Sequence, residues 1–157
     1  MRTIASLEEL ESLQGQEVAV SDWSEITQQQ VNLFAEATGD HQWIHVDVER
    51  AKRESPFGAP VAHGFLTLSL LPQFMQNAIH MEGVKMGVNY GLNRVRFTSP
   101  VPVGSKLRAR VKLLKVERLD PLPNGLLGAQ STWEVTIERE GSDRPVCVAE
   151  SISRRYS

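Results

Sequence analysis

The segment from Phe65 to Met81 constrains this chain more than any other. Its apolar residues, Phe65, Leu66, Leu68, Leu70, Leu71, Phe74, Met75, Ala78 and Ile79, fall on nearly every face of a helix. A helix lying on a protein surface shows one apolar stripe, so this one has to be buried on most sides. The rest of the chain must supply something that wraps it. Pro72 lies inside the segment; with no N–H to donate, it should kink the helix or end its first part. Thr67, Ser69, Gln73, Gln76 and Asn77 interrupt the run, which falls short of the ~18 uninterrupted apolar residues of a membrane span.

The wrapping material follows the helix. Gly83 to Thr98, Ser105 to Leu119, Leu126 to Glu140 and Val146 to Tyr156 read as strands. Leu107, Ala109, Val111 and Leu113 alternate with Arg108, Arg110 and Lys112, and Trp133, Val135 and Ile137 alternate with Glu134, Thr136 and Glu138. That period of two belongs to antiparallel strands with one wet face. Pro100, Pro102 and Gly104, then Pro121 to Gly125, then Gly141 and Pro145 mark the turns. Ahead of the helix, Ser6-x-x-Glu9 and Thr27-x-x-Gln30 are capping boxes. Each opens a short helix, the first carrying Leu7, Leu10 and Leu13, the second Val31, Phe34, Ala35 and Thr38. Gly15 and Gly39 close them. Glu17 to Trp23 reads as a strand, Glu49 to Arg53 as a helical turn and Ser55 to Pro60 as a loop. The fold class is α+β, with a curved antiparallel sheet wrapped around one long central helix. Such a sheet leaves an open edge, so a homodimer that joins two sheets is expected.

Composition narrows the function. The 157 residues carry 17 Lys and Arg against 19 Asp and Glu, a net charge of −2, and one cysteine. That length suits one domain with a core of its own, and a charge near zero argues against nucleic-acid or anionic-membrane partners. A lone cysteine excludes a disulfide scaffold, and Cys147, set among Val146, Val148 and Ala149, reads as a buried inert thiol. Glu8, Glu9 and Glu11 fall where a signal peptide would need apolar residues, so a cytoplasmic protein is expected.

Two polar clusters could carry chemistry: Thr38 to Asp47, and Pro60 to Phe65, which leads into the buried helix. They hold three of the four histidines; His80 lies toward the end of the central helix. A loop after Gly39 could bring the Asp40 carboxylate and the His45 imidazole to within one water of each other, a pair suited to general acid–base work. Gly64 would stand at the first turn of the buried helix, where its N–H has no intrahelical acceptor and no side chain blocks a carbonyl. Equally, Asp40 could cap a turn and His45 could be a satisfied core histidine. His63 reads as orienting the loop or capping the helix, Trp43 as packing, and Arg94, Arg96, Arg108 and Arg110 as a solvated sheet face or, alternatively, a contact for a phosphate group. Asp40, His41, His45 and Asp47 form only a weak metal signal, so no metal is expected.

At these residues the chain resembles the MaoC-like dehydratases, the (R)-specific enoyl-CoA hydratases. The resemblance is carried by Phe34 to Asp40 followed by Ile44-His45-Val46-Asp47, and by Phe57-Gly58-x-Pro60-x-x-His63-Gly64. Gly39 to His45 looks most like the nodulation protein N branch. The resemblance implies one hot-dog domain over residues 1–157, with Asp40 and His45 as catalytic residues and Gly64 holding the thioester carbonyl. Gln42, Trp43, His63 and Phe65 flank these three and are the expected substrate-binding set. The implied reaction is reversible hydration of a trans-2-enoyl thioester to the (3R)-3-hydroxyacyl thioester. No cofactor is implied; coenzyme A or acyl carrier protein arrives with the substrate.

Two departures stand out. The usual Asn-Pro between the catalytic pair is Gln42-Trp43 here. A serine that supports the aspartate in some members has no clear counterpart, Pro72 falling near its position and Ser69 one turn earlier. The residues therefore also admit a thioesterase on the same fold, or an acyl-thioester-binding module without turnover.

Overall fold

The structure, a computed structural model, describes all 157 residues. Strands β1 (Arg2–Ile4), β2 (Glu17–Val20) and β3 (Ser24–Glu25) alternate with helices α1 (Leu7–Ser12) and α2 (Gln28–Thr38). Three helical pieces, α3 (Trp43–Val46), α4 (Val48–Glu54) and α5 (Gly64–Ser69), lead to α6 (Leu71–Ala78) and β4 (Ile79–Met81). The long strands β5 (Met86–Arg96), β6 (Lys106–Leu119), β7 (Gly128–Arg139) and β8 (Pro145–Tyr156) complete the chain.

The main sheet has the order β2-β6-β7-β8-β5, with β3 also on β6, and all its pairings are antiparallel. Pairing sets Ala109 opposite Ile137 and Val111 opposite Val135, so the alternating apolar residues share one face. Leu107, Ala109, Val111, Leu113, Trp133, Val135 and Ile137 are all fully buried there. The central helix packs on that face through Leu66, Leu70, Leu71, Phe74 and Met75. This is the wrapped helix that the apolar segment demanded.

Local signals act as expected. Ser6 Oγ accepts the Glu9 N–H at 3.1 Å and Thr27 Oγ1 accepts the Gln30 N–H at 3.1 Å. Gly39 takes φ 79°, a left-handed conformation that only glycine adopts without cost, and ends α2. Cys147 is fully buried, and burial pushes its thiol up to about 11.

The central helix is broken at Leu70, as expected from Pro72, which lies in the first turn of α6, where its missing N–H costs nothing. The structure corrects the reading in three places. The helix ends at Ala78. Ile79 to Met81 extend and pair in parallel with β1, an N-terminal strand that three residues could not announce. His80 therefore sits on a strand, exposed, not on the helix. The Glu17 to Trp23 strand stops at Val20, because Ser21 Oγ takes the Ala109 N–H (2.9 Å) that a continued ladder would use. The arginine face is partly organised: Arg110 bonds Glu17 at 3.1 Å and Glu138 at 3.2 Å, and Arg108 also pairs with Glu138.

Candidate active site

Helix α2 buries Val31 and Ala35 and stops at Gly39, which throws Asp40 clear of the helix. Asp40 accepts the Gln42 N–H through Oδ1 at 3.3 Å, closing a tight turn. The chain then winds one helical turn, α3, where a loop was expected. Its carboxyl end is clamped to the segment before the central helix. The Val61 N–H donates to the Ile44 carbonyl at 3.0 Å, and the His45 Nδ1–H donates to the Val61 carbonyl at 2.6 Å. Gln28, at the start of α2, adds a bond to the His45 carbonyl at 2.8 Å. On its other side the 60–62 segment is held by the turn at 101–103, through Ala62 N–H to the Val101 carbonyl and Val103 N–H to the Pro60 carbonyl.

His63, 2% exposed, is the residue before α5, yet its side chain does not cap that helix. Its Nε2–H instead reaches the Asp40 carbonyl at 2.9 Å, tying together positions 23 apart in sequence. Its ring lies between Phe34, at 4.8 Å, and His45, stacked at 3.9 Å with 25° between planes. The potential donor atoms of Asp40, His45 and His63 all lie within 4.8 Å of one another.

The hydrogen bonds assign the tautomers. A carbonyl only accepts, so His45 carries its proton on Nδ1 and His63 on Nε2 when neutral. His45 Nε2 and His63 Nδ1 are left as acceptors, and His63 Nδ1 is buried without a partner. Burial holds His45 below its ordinary value; the His63 ring adds to this, while the Val61 carbonyl and Asp40 oppose it.

Gly64 follows His63 directly and is the first residue of α5, so its N–H has no acceptor within the helix. A Cβ there would meet the Phe97 ring at 3.0 Å. Asp40, His45, His63 and Gly64 are thus brought together. Gln42 and Trp43 flank them, but the Trp43 ring carries the Arg50 guanidinium at 4.3 Å. Phe65 is 68% exposed and meets Phe97 edge-on at 6.0 Å. The other residues considered for a metal disperse: exposed His41 lies 3.9 Å from Glu36, and Asp47 caps α4 by accepting the Arg50 N–H at 3.1 Å. Sequence reasoning missed Val61, which acts through its backbone, and Phe97, which belongs to no local motif.

Comparison with known proteins bears on the family and the fold. Residues 9–133 match the family model described as MaoC like domain. A Mycobacterium tuberculosis (strain H37Rv) protein called 3-hydroxyacyl-thioester dehydratase Z is 54% identical over 154 residues, 98% of each chain. Nodulation protein N of Rhizobium leguminosarum bv. viciae is 45% identical over 154 residues, covering 94% of this chain and 89% of its own. The X-ray structure of monoamine oxidase regulatory protein from Archaeoglobus fulgidus superposes with a TM-score of 0.73 at 22% identity, over 99% of this chain and 97% of that one. The fold is the hot-dog fold that the resemblance implied.

Proposed function

The chain belongs to the MaoC-like domain family, and from that premise we propose that it catalyses the reversible, (3R)-specific hydration of trans-2-enoyl thioesters. One observation carries this reading: the Asp40 carboxylate and the His45 imidazole, with His63, converge beside the first N–H of the central helix. The 54% identical dehydratase supports the substrate class.

His45 Nε2 takes a proton from a water held between it and Asp40 Oδ2 as the water oxygen bonds to C3. The electron pair of the double bond shifts to C2 and toward the thioester oxygen, where the Gly64 N–H stabilises the charge. A proton returns to C2, and the reverse sequence eliminates water. Coenzyme A or acyl carrier protein enters as part of the substrate, and no metal or redox cofactor takes part. The direct test is loss of enoyl absorbance with crotonyl-CoA and longer trans-2-enoyl-CoAs, with chiral analysis of the product. Release of free thiol with the enoyl absorbance intact would replace hydration by thioester hydrolysis. Tight binding without turnover at any chain length would leave a binding module.

His45 must be neutral to accept a proton, and burial keeps it neutral to lower pH than an unburied histidine. The acid limb of kcat/KM is therefore expected below pH 6.5, the ordinary histidine value. The sign for stability is the same. The unfolded chain takes up this proton near 6.5 and the folded chain only lower, so stability is lost as pH falls through that window. A pH–rate profile with its acid limb above 6.5 contradicts the assignment of His45 as the base.

The protein acts as a homodimer in this proposal. Strand β5 is an edge whose residues are exposed on both faces, including Met86, Val88, Tyr90 and Leu92 at 41–54%. Unpaired backbone groups beside apolar side chains favour pairing with a second copy. Sedimentation at micromolar concentration should give the dimer mass; a monomer would refute it.

A further inference from the structure

The inner face of β7 and β8 changes character along its length. Ile137 faces Cys147 and Val135 faces Ala149, an apolar lining. Beyond them Trp133 faces Ser151, Ser131 faces Ser153 and Ala129 faces Arg155. Ser131 Oγ, Trp133 Nε1, Ser153 Oγ and Arg155 Nε are all buried without a hydrogen-bond partner. Native proteins leave few such atoms, so four on one patch of sheet call for an explanation. Arg155 is the most demanding of them. The residue is half-buried, and its shielded Nε–H has no acceptor. No carboxylate forms an ion pair with it: Glu8, in the same surroundings, is taken by Arg118 at 3.2 Å. Burial lowers the proton affinity of Arg155, and no acid opposes this.

Arg155 stands beside two cavities. One, of about 730 Å³, runs between the central helix and the inner face of β5 and β8. Its helix wall is mostly apolar, Leu68, Leu71, Pro72 and Met75 with Ser69 and Gln76 among them, and its sheet wall carries Ser151, Ser153, Arg154 and Arg155. The second, of about 170 Å³, lies beyond and is also lined by Arg155 and Ser131. The neighbours of Arg155 across the ladder, Gly87 and Ala129, are small and leave the guanidinium room to meet a ligand. Leu68, at the near end of this cavity, lies one turn after Gly64 on the same helix, which puts that end close to the thioester end of the site. From Gly64 to Met75 the helical rise amounts to roughly 16 Å.

We infer that this cleft takes the acyl chain of a substrate whose far end carries a carboxylate, paired there by Arg155. The inference rests on the hydration reading for the thioester end. The methylenes lie on the leucine and methionine wall, the serine hydroxyls bond oxygens along or at the end of the chain, and the carboxylate supplies the missing counter-charge. Arg155 is a specificity-determining residue, remote from the reacting carbons.

The test compares a medium-chain trans-2-enoyl-CoA ending in a methyl group with its counterpart of equal length ending in a carboxylate. The wild-type ratio of kcat/KM should favour the carboxylate about tenfold or more, the worth of one charge-assisted pair. Arg155→Met should bring that ratio to one or below, with the loss in KM. A wild-type ratio of one or below, or a ratio that Arg155→Met leaves unchanged, overturns the proposal. If neither compound is turned over, the hydration reading falls, and calorimetry with the matching saturated acyl-CoAs decides this one. Tighter binding of the carboxylate by wild type alone upholds it; equal binding overturns it. Since Arg155→Met removes a half-buried guanidinium whose Nε–H has no acceptor, the melting temperature of the free protein should hold or rise. A marked fall would make Arg155 a structural residue and also overturn the proposal.

Discussion

Asp40→Asn and His45→Ala should each lower kcat/KM for enoyl-CoA hydration by about 10²–10⁴, the usual contribution of a positioned acid or base. The asparagine keeps an oxygen that can accept the Gln42 N–H, so the turn at 40–42 survives and only the charge is lost. His45→Ala does more. It also removes the donor to the Val61 carbonyl, inside a segment where Val61 is 4% exposed. A buried carbonyl left bare costs about 1–3 kcal/mol, so this variant should lose stability as well as activity. His45→Gln, whose amide can donate to the same carbonyl, separates the two effects: stability returns and activity does not. Because the two residues act on one water, the double variant should be scarcely slower than the worse single one. Additive losses, or turnover unchanged in both single variants, would show that the chemistry lies elsewhere.

Phe74→Ala carries the largest expected effect on stability. The ring is fully buried where α6 meets the sheet, in the cluster that includes Trp133, Leu107 and Val135. Removing a large core ring costs about 3–5 kcal/mol, from lost transfer energy and an unfilled cavity. Against the ~5–15 kcal/mol that holds a typical domain together, this is a large share. Urea unfolding should show a lower midpoint with little change in slope. Leu33→Ala, at a site 63% exposed on α2, should change stability by no more than about 0.5 kcal/mol. A Phe74→Ala loss as small as that of Leu33→Ala would mean that the sheet does not enclose the helix.

Much of the fold was legible because its signals are local. Alternation at Leu107 to Leu113 and Trp133 to Ile137 marked a one-sided sheet, and each of the four long strands lies within a few residues of the segment that announced it. The caps at Ser6 and Thr27 and the stop at Gly39 work through neighbours three or four residues away. What escaped is non-local. Ile79 to Met81 became a strand only because Arg2 to Ile4 lie beside them. The one-turn helix at Trp43 to Val46 is held by Gln28 and Val61, and neither leaves a trace near His45 in the sequence.

The candidate site divides the same way. Asp40 as a turn former and Asp40 as a neighbour of His45 stood as alternatives on spacing; the geometry makes it both, since one oxygen closes the turn while the carboxylate lies near the imidazoles. His63 joins the cluster through a bond to a backbone carbonyl, an acceptor every residue carries and no side-chain pattern can single out.

The sequence by itself determined that one helix had to be enclosed and that a one-faced antiparallel sheet would enclose it. Periodicity carries that information, because burial acts along the chain; spacing left the roles of Asp40 and His45 open, and only the family resemblance implied that they join Gly64 at the helix entrance. Only the tertiary structure decided which proton each imidazole holds, where the helix ends, and that the half-buried Arg155 has no ion-pair partner. Those depend on which backbone carbonyl, strand or empty space lies opposite a residue, and that is set only when distant segments pack together.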